Sequence, residues 1–197
     1  MNPILNRNLY LVKEHLGIFK AANNFDIFDP ETGALIIECR EEGMSFLTKF
    51  LRFTDAKQST PFNIYLREPV SGWLILSVSR GFTFWRSKVT VHDENGTPIG
   101  WFRQKMFTIG GAFELYTMDD RLVATLQGKW TGWEFKFKSE TGELAVVTKK
   151  WAGLGQELFT TADTYMISIS DMVRQNDPAR LIILASVVCI DMVLKEK

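Results

Sequence analysis

Pro178-Ala179-Arg180-Leu181-Ile182-Ile183-Leu184-Ala185-Ser186-Val187-Val188-Cys189-Ile190-Asp191-Met192-Val193-Leu194, followed by Lys195-Glu196-Lys197, is the stretch that decides the fold. Asp177 stands before Pro178 as an N-cap with proline at the first helical position, and the closing lysines suit a helix C-terminus. A helix over about 178–195 is apolar on every face, so it must be buried on every face. Lipid or a protein interior could bury it, and length discriminates between them. Leu181 to Leu194 makes about 21 Å of helix, short of a hydrocarbon core of about 30 Å. Asp191 within it adds a cost in a bilayer. The expectation is a central helix sheathed by protein, worth about 15–30 kcal/mol of burial as an upper bound.

Upstream, the chain reads as short alternating runs separated by turn chemistry. The turns are Asp29 to Gly33, Asp93 to Gly96, Met118 to Arg121 and Ser139 to Gly142, where Asp, Asn and Gly tolerate positive φ or bond their own backbone. Strand-like residues flank each one. Trp133 to Lys138 alternates most clearly, with Phe135 and Phe137 on one face and Glu134, Lys136 and Lys138 on the other. Adding Leu9–Val12, Phe62–Leu66, Trp73–Val78, Phe82–Trp85 and Thr164–Ile169 gives about a dozen strands. Met44 to Phe53 fits a helix or a strand. An eight-stranded barrel holds only side chains, so a sheath around a helix needs more strands, in line with the dozen counted. The expected architecture is mainly β: one domain over 1–197, with strands at about 8–170 forming an antiparallel meander around the helix.

Composition fits this frame. The 197 residues are 46% hydrophobic, 23% charged and 13% aromatic, an ordinary globular balance rich in the flat rings that cover pleated sheets. Lys plus Arg equals Asp plus Glu at 23 each, so the molecule as a whole exerts no long-range pull on nucleic acid or anionic membrane. A local patch could still do so. Cys39 and Cys189 sit in apolar runs as buried hydrophobes, and with no apolar stretch of leader length near Met1 the expectation is a cytoplasmic protein. His15 and His92 lie far apart with no ligand at metal spacing. No nucleophile–base pair or phosphate loop is visible, so neither an enzyme nor a cofactor is expected.

The stretch from Lys149 to Ile167 resembles phospholipid scramblases. There a Lys-x-Trp-x-Gly segment leads to Glu-x-Phe-Thr and an Ala-Asp-x-aromatic-x-Ile strand, matched here by Lys149, Trp151, Gly153, Glu157, Phe159, Thr160, Ala162, Asp163, Tyr165 and Ile167. The Ile190-Asp191 pair in the closing helix is similar too. Tyr10 to Glu14 and Phe25 to Asp29 resemble related proteins of the LURP-one type. The resemblance implies a tubby-like fold, a closed barrel of about twelve strands around a C-terminal helix, and a protein that engages phospholipid or a membrane surface peripherally. An interaction module of the same fold, holding a protein or small molecule without scrambling lipid, is the alternative. Phosphoinositide headgroups can bind such a fold in a cationic groove between strands, and Arg86, Lys88, Arg103, Lys105, Lys136 and Lys138 are the candidates here. Arg80, Lys129 and Lys150 are further basic residues of those strands. The family's calcium loop would rest on Asp163 and Asp171, two carboxylates where calcium takes six to eight oxygens, so no metal is expected. Trp130, Trp133 and Trp151 are candidate interface anchors or packing residues.

Overall fold

The computed structural model describes residues 3–15, 22, 24–45, 48, 60–82, 88–104, 112–129, 134–149 and 164–194, with side chains described at all of these except 129 and 190–194. Alternating residues build twelve strands: β1 (Leu9–Glu14), β2 (Phe25–Phe28), β3 (Leu35–Glu41), β4 (Phe62–Arg67), β5 (Leu74–Arg80), β6 (Lys88–His92), β7 (Pro98–Gln104), β8 (Ala112–Thr117), β9 (Leu122–Lys129), β10 (Glu134–Ser139), β11 (Gly142–Thr148) and β12 (Thr164–Ile169). Every strand pairs antiparallel with its sequence neighbours, and β1 pairs with β12 to close the barrel. Closure removes the sheet edges that would otherwise invite aggregation.

Alternation decides which side chains point in. Phe135 and Phe137 of β10 are 1% and 0% exposed, while Lys136 and Lys138 between and beyond them face outward. The inward rows share one core with the helix Pro178–Leu194, which packs most closely against β5, β6 and β7 and whose residues Leu181 to Cys189 are all buried. Asp177 caps it as expected, its Oδ1 accepting the Ala179 N–H at 2.9 Å. β7 approaches the helix closely at Gly100, where a Cβ would lie 2.5 Å from Ile182 Cδ1 and 2.7 Å from the Tyr116 carbonyl oxygen. Among the described residues, no helix is long and apolar enough to cross a membrane.

Arg180 is a buried cation that the sequence reading did not single out. It is 3% exposed at the start of the helix. Its guanidinium donates to the carbonyls of Arg174, Val173 and Arg7 and to Asn8 Oδ1, at 2.7 to 2.9 Å. These bonds tie the segment before β1 and the segment after β12 to the helix. No carboxylate is among these acceptors, so carbonyl dipoles carry the solvation of the charge.

Turn chemistry is visible in the backbone. Gly33 and Gly96 sit at φ +70° and +78°, and Asp120 at φ 60°. Asp93 Oδ1 accepts the N–H groups of Asn95 and Thr97. A fifth turn, Glu68 to Trp73 with Gly72 at φ +69°, was not anticipated. Its Val70 and Trp73 are 96% and 62% exposed, so the strand starts at Leu74, one residue later than expected. Phe82 is not in a strand and is 58% exposed, which corrects that end of the expected Phe82–Trp85 strand; the remainder lies outside the described residues. In the ambiguous Met44–Phe53 segment, Thr48 is helical and its N–H donates to Ser45 Oγ at 3.1 Å. Residues 46, 47 and 49–53 lie outside the described residues.

Candidate functional site

Three neighbouring strands bring together the cationic and aromatic side chains that a headgroup site needs. β6 pairs with β7 so that Lys88 lies opposite Arg103, and β7 pairs with β8 so that Arg103 lies opposite Glu114 and Trp101 opposite Tyr116. All these residues have outward parity, because Phe102, Phe113 and Leu115 between them fill the core. Trp101 and Tyr116 stack with centroids 4.3 Å apart, and Trp101 Nε1 donates to Asp120 Oδ1 at 3.1 Å. Lys88 Nζ stands 4.2 Å over the Trp101 ring. The indole is thus fixed by a stack on one side and a hydrogen bond at its edge, and it presents a face to the ammonium.

Arg103 is held differently. Its Nε and Nη2 donate to Glu114 Oε2 at 3.1 and 3.0 Å, and Nη2 also bonds the Tyr116 hydroxyl at 3.0 Å. The Glu114 carboxylate raises the Arg103 pKa, and burial together with Glu114 raises that of Tyr116. Much of the Arg103 charge is therefore already answered inside the cluster. Lys88 has an aromatic face as its contact and no carboxylate within bonding distance among the described residues.

Lys136 and Lys138 lie on β10, away from this cluster. Registers place Lys88, Arg103, Glu114, Thr125, Lys138 and Glu143 in one row across β6 to β11. Lys136 is flanked by Glu143 at 3.2 Å and Glu134 at 3.5 Å, and its pKa is raised by Glu143 first. The row mixes both signs of charge, three cations with two carboxylates, and is not a cationic groove. Of the expected headgroup residues, Lys88 and Arg103 come together, Lys136 and Lys138 sit among carboxylates, and Arg86 and Lys105 lie outside the described residues. Arg80 is removed from consideration by burial: it is 4% exposed, donates to the Thr60 carbonyl and covers the Phe62 ring.

The motif residues fare similarly. Lys149 follows β11 half-buried, and Tyr165 of β12 is buried opposite Val12. Trp151, Gly153, Glu157, Phe159, Thr160 and Asp163 lie outside the described residues, as do Trp130 and Trp133. Asp171 accepts a hydrogen bond from Asn8 Nδ2 in an exposed turn. Among the described residues no three His, Cys, Asp or Glu side chains converge on a point where a metal ion could be held. A separate cleft of about 380 Å³ opens where the helix begins, between Thr117, Arg121, Leu122, Leu144, Met172 and Ile182. None of the expected cations lines it.

What the sequence missed here was the Trp101–Tyr116–Asp120 support. Part of its signal was present in the turn Met118 to Arg121, which joins β8 to β9 and carries the positive-φ Asp120, but the lateral register that pairs Trp101 of β7 with Tyr116 of β8 is a property of the folded sheet.

Comparison with curated proteins finds no match. Among solved structures, the X-ray structure of a protein from Arabidopsis thaliana superimposes with a TM-score of 0.55 at 15% identity, covering 98% of this chain and 96% of that one. That likeness shows the shared tubby-like fold. A family model described as Scramblase matches residues 4–197, a span that takes in all twelve strands and the enclosed helix. On that match the chain belongs to the Scramblase family.

Proposed function

We propose that this protein binds anionic phospholipid headgroups at a cytoplasmic membrane surface, peripherally and without bond-making chemistry. The observation that carries the reading is Lys88 poised over the fixed face of Trp101, beside Arg103, on the outer wall of a scramblase-family barrel. An ammonium held by a ring face keeps its charge and its three donors for a phosphate oxygen, whereas one held by a carboxylate has first to be released. The proposal contains no transmembrane lipid path. The helix that would have to supply one fills the barrel, and removing it would expose the inward rows of twelve strands.

Vesicle co-sedimentation tests this. Binding to vesicles of equal parts phosphatidylcholine and phosphatidylserine should exceed binding to phosphatidylcholine alone, and it should fade as salt approaches about 1 M, where the Debye length is about 3 Å. Lys88→Glu should weaken it by about five-fold or more, since one cation at an anionic surface is worth about 1 kcal/mol. Binding indifferent to lipid charge would sink the proposal. A second reading, an interaction module for a small molecule, is favoured by the cleft at Arg121 and Met172. Arg121→Ala should leave vesicle binding unchanged under the first reading.

A further inference from the structure

The cleft where the helix begins is lined by described side chains throughout, and the lipid-surface reading makes no use of it. It holds about 380 Å³ between the helix and three connections: β8 to β9 (118–121), β10 to β11 (140–141) and β12 to the helix (170–177). Its floor belongs to the core, with Leu144, Val173 and Ile182 all buried. Its rim is apolar too, and wet. Leu122 and Met172 line it at 48% and 55% exposure, and Met118, 46% exposed, sits in the turn between the lining residues Thr117 and Arg121. Met172 leans across to the β10–β11 turn, where its Cε lies 3.3 Å from the position a Cβ on Gly142 would take. These three are half of the six large apolar side chains exposed among the described residues. They form a cluster, where an ordinary surface shows such residues singly.

Negative charge surrounds the apolar rim. The same three connections carry Asp119, Asp120, Glu140, Asp171 and Asp177 against Arg121 and Arg174. Four of the carboxylates accept hydrogen bonds from neutral donors: the Thr117 hydroxyl, Trp101 Nε1, Asn8 Nδ2 and the Ala179 N–H. Among the described residues none of the five forms an ion pair with Lys or Arg. Turn formation accounts for Asp119 and Asp120, and helix capping for Asp177. Neither accounts for Met118, Leu122 and Met172 standing in water among them, because tight turns select polar residues and glycine. Methionine moulds itself to irregular apolar partners and is over-used at binding surfaces.

The spread of the charge sets the size of the partner. From β8 to β12 is four inter-strand steps of about 4.8 Å, or about 19 Å along the wall. The cleft itself lies near the lower end of the range of about 300–1,000 Å³ that small-molecule sites occupy. A group small enough to fill it does not reach carboxylates on all three connections. A peptide segment does, with one side chain in the cleft and its neighbours along the rim.

We propose that the end of the barrel where the helix begins docks a basic peptide segment of a partner protein, an aliphatic or aromatic side chain filling the cleft and Lys or Arg residues facing Asp119, Asp120, Glu140, Asp171 and Asp177. The apolar anchor supplies the affinity, and the charges supply the rate of encounter and the choice of partner. This goes beyond the lipid-surface reading and does not rest on it.

Fluorescence anisotropy with synthetic labelled peptides tests the site. One peptide has a pair of leucines flanked by lysines; in a second, serines replace the leucines, and in a third, glutamates replace the lysines. At physiological salt the first should bind, the second should bind about ten-fold more weakly or worse, and the third should not bind. Leu122→Ser and Met172→Ser leave the charge unchanged, and each should weaken the first peptide by about three-fold or more without moving the thermal midpoint. Glu140→Lys should weaken it by a similar factor. Glu94→Lys makes the same charge change in the β6–β7 turn, away from the cleft, and should alter binding less than about two-fold, since screening acts within about 8 Å. Equal binding of the leucine and serine peptides, or equal losses from Glu140→Lys and Glu94→Lys, would reveal diffuse attraction and overturn the site. So would no binding of the first peptide, and so would capture of octylammonium without the peptide, which would assign the cleft to a small cationic amphiphile. No vesicle enters these measurements, so the lipid-surface reading stands or falls separately.

Discussion

Gly100 shows how narrowly a helix fits inside a sheet. An alanine there would drive its Cβ to 2.5 Å from Ile182 Cδ1 and 2.7 Å from the Tyr116 carbonyl. Gly100→Ala should cost about 1–3 kcal/mol by overpacking, read as a lowered urea midpoint at constant slope. Adding Ile182→Val removes the terminal methyl and should recover part of the loss, but not all, because the carbonyl stays. Asp29 makes the corresponding case for charge. Burial alone would raise its pKa, yet the Glu31 N–H, the Arg7 guanidinium and the Thr32 hydroxyl together hold it below the ordinary 3.8. A carboxylate with a lowered folded-state pKa stabilises the fold fully above its unfolded value and ceases to do so as the pH falls through the folded one. The stability difference between wild type and Asp29→Asn should stay constant from neutral pH down to about 4 and shrink below it. A difference that persists undiminished to the acid limit would show that the charge plays no part. None of this was readable in advance: Asp29 was a turn residue by type, but its ion pair with Arg7 depends on where the first segment lies against the β2–β3 turn.

Among the elements, the helix was the most legible and the connections the least. All-round apolarity together with a short span left a protein interior as its only suitable solvent, and the buried run Leu181 to Cys189 agrees. Strands announced themselves wherever an Asp–Gly turn bounded an alternating pair, as at Asp93 to Gly96. Phe82 misled because its aromatic neighbours look like a strand, while β5 had already ended at Arg80, anchored on Thr60. The candidate site was half legible. Residue type marked Lys88 and Arg103 as cations, but which of them is answered by a carboxylate depends on the register that sets Glu114 opposite Arg103, while Lys88 meets the ring of Trp101. If the helix is a folding element, Val187→Asp should abolish native near-ultraviolet dichroism, because an unpaired charge would sit at a position with 0% exposure. Val70→Asp, at 96% exposure, should change the unfolding free energy by about 0.5 kcal/mol at most. A chain ending before Leu181 that stayed soluble with native dichroism would remove the helix from that role.

For the molecule as a whole, the strand order matters more than any contact. Neighbours in sequence are neighbours in the sheet, with the single exception of β1 and β12, which must find each other across the length of the barrel. The local hairpins can form early; the closing pair brings a large loop-closure cost and comes late. The helix sets a stricter order, because it follows all twelve strands in the chain and yet occupies the space they surround. A nascent polypeptide emerging from a ribosome would therefore display eleven or twelve strands with their apolar faces bare before their shared filling existed. Such a chain, arrested at residue 170, should be cut throughout by a protease that spares the full-length protein, and it should bind a chaperone that holds exposed apolar segments. Formation of the barrel is then a single late event, and the helix, made after the strands it fills, is the segment that commits all the others.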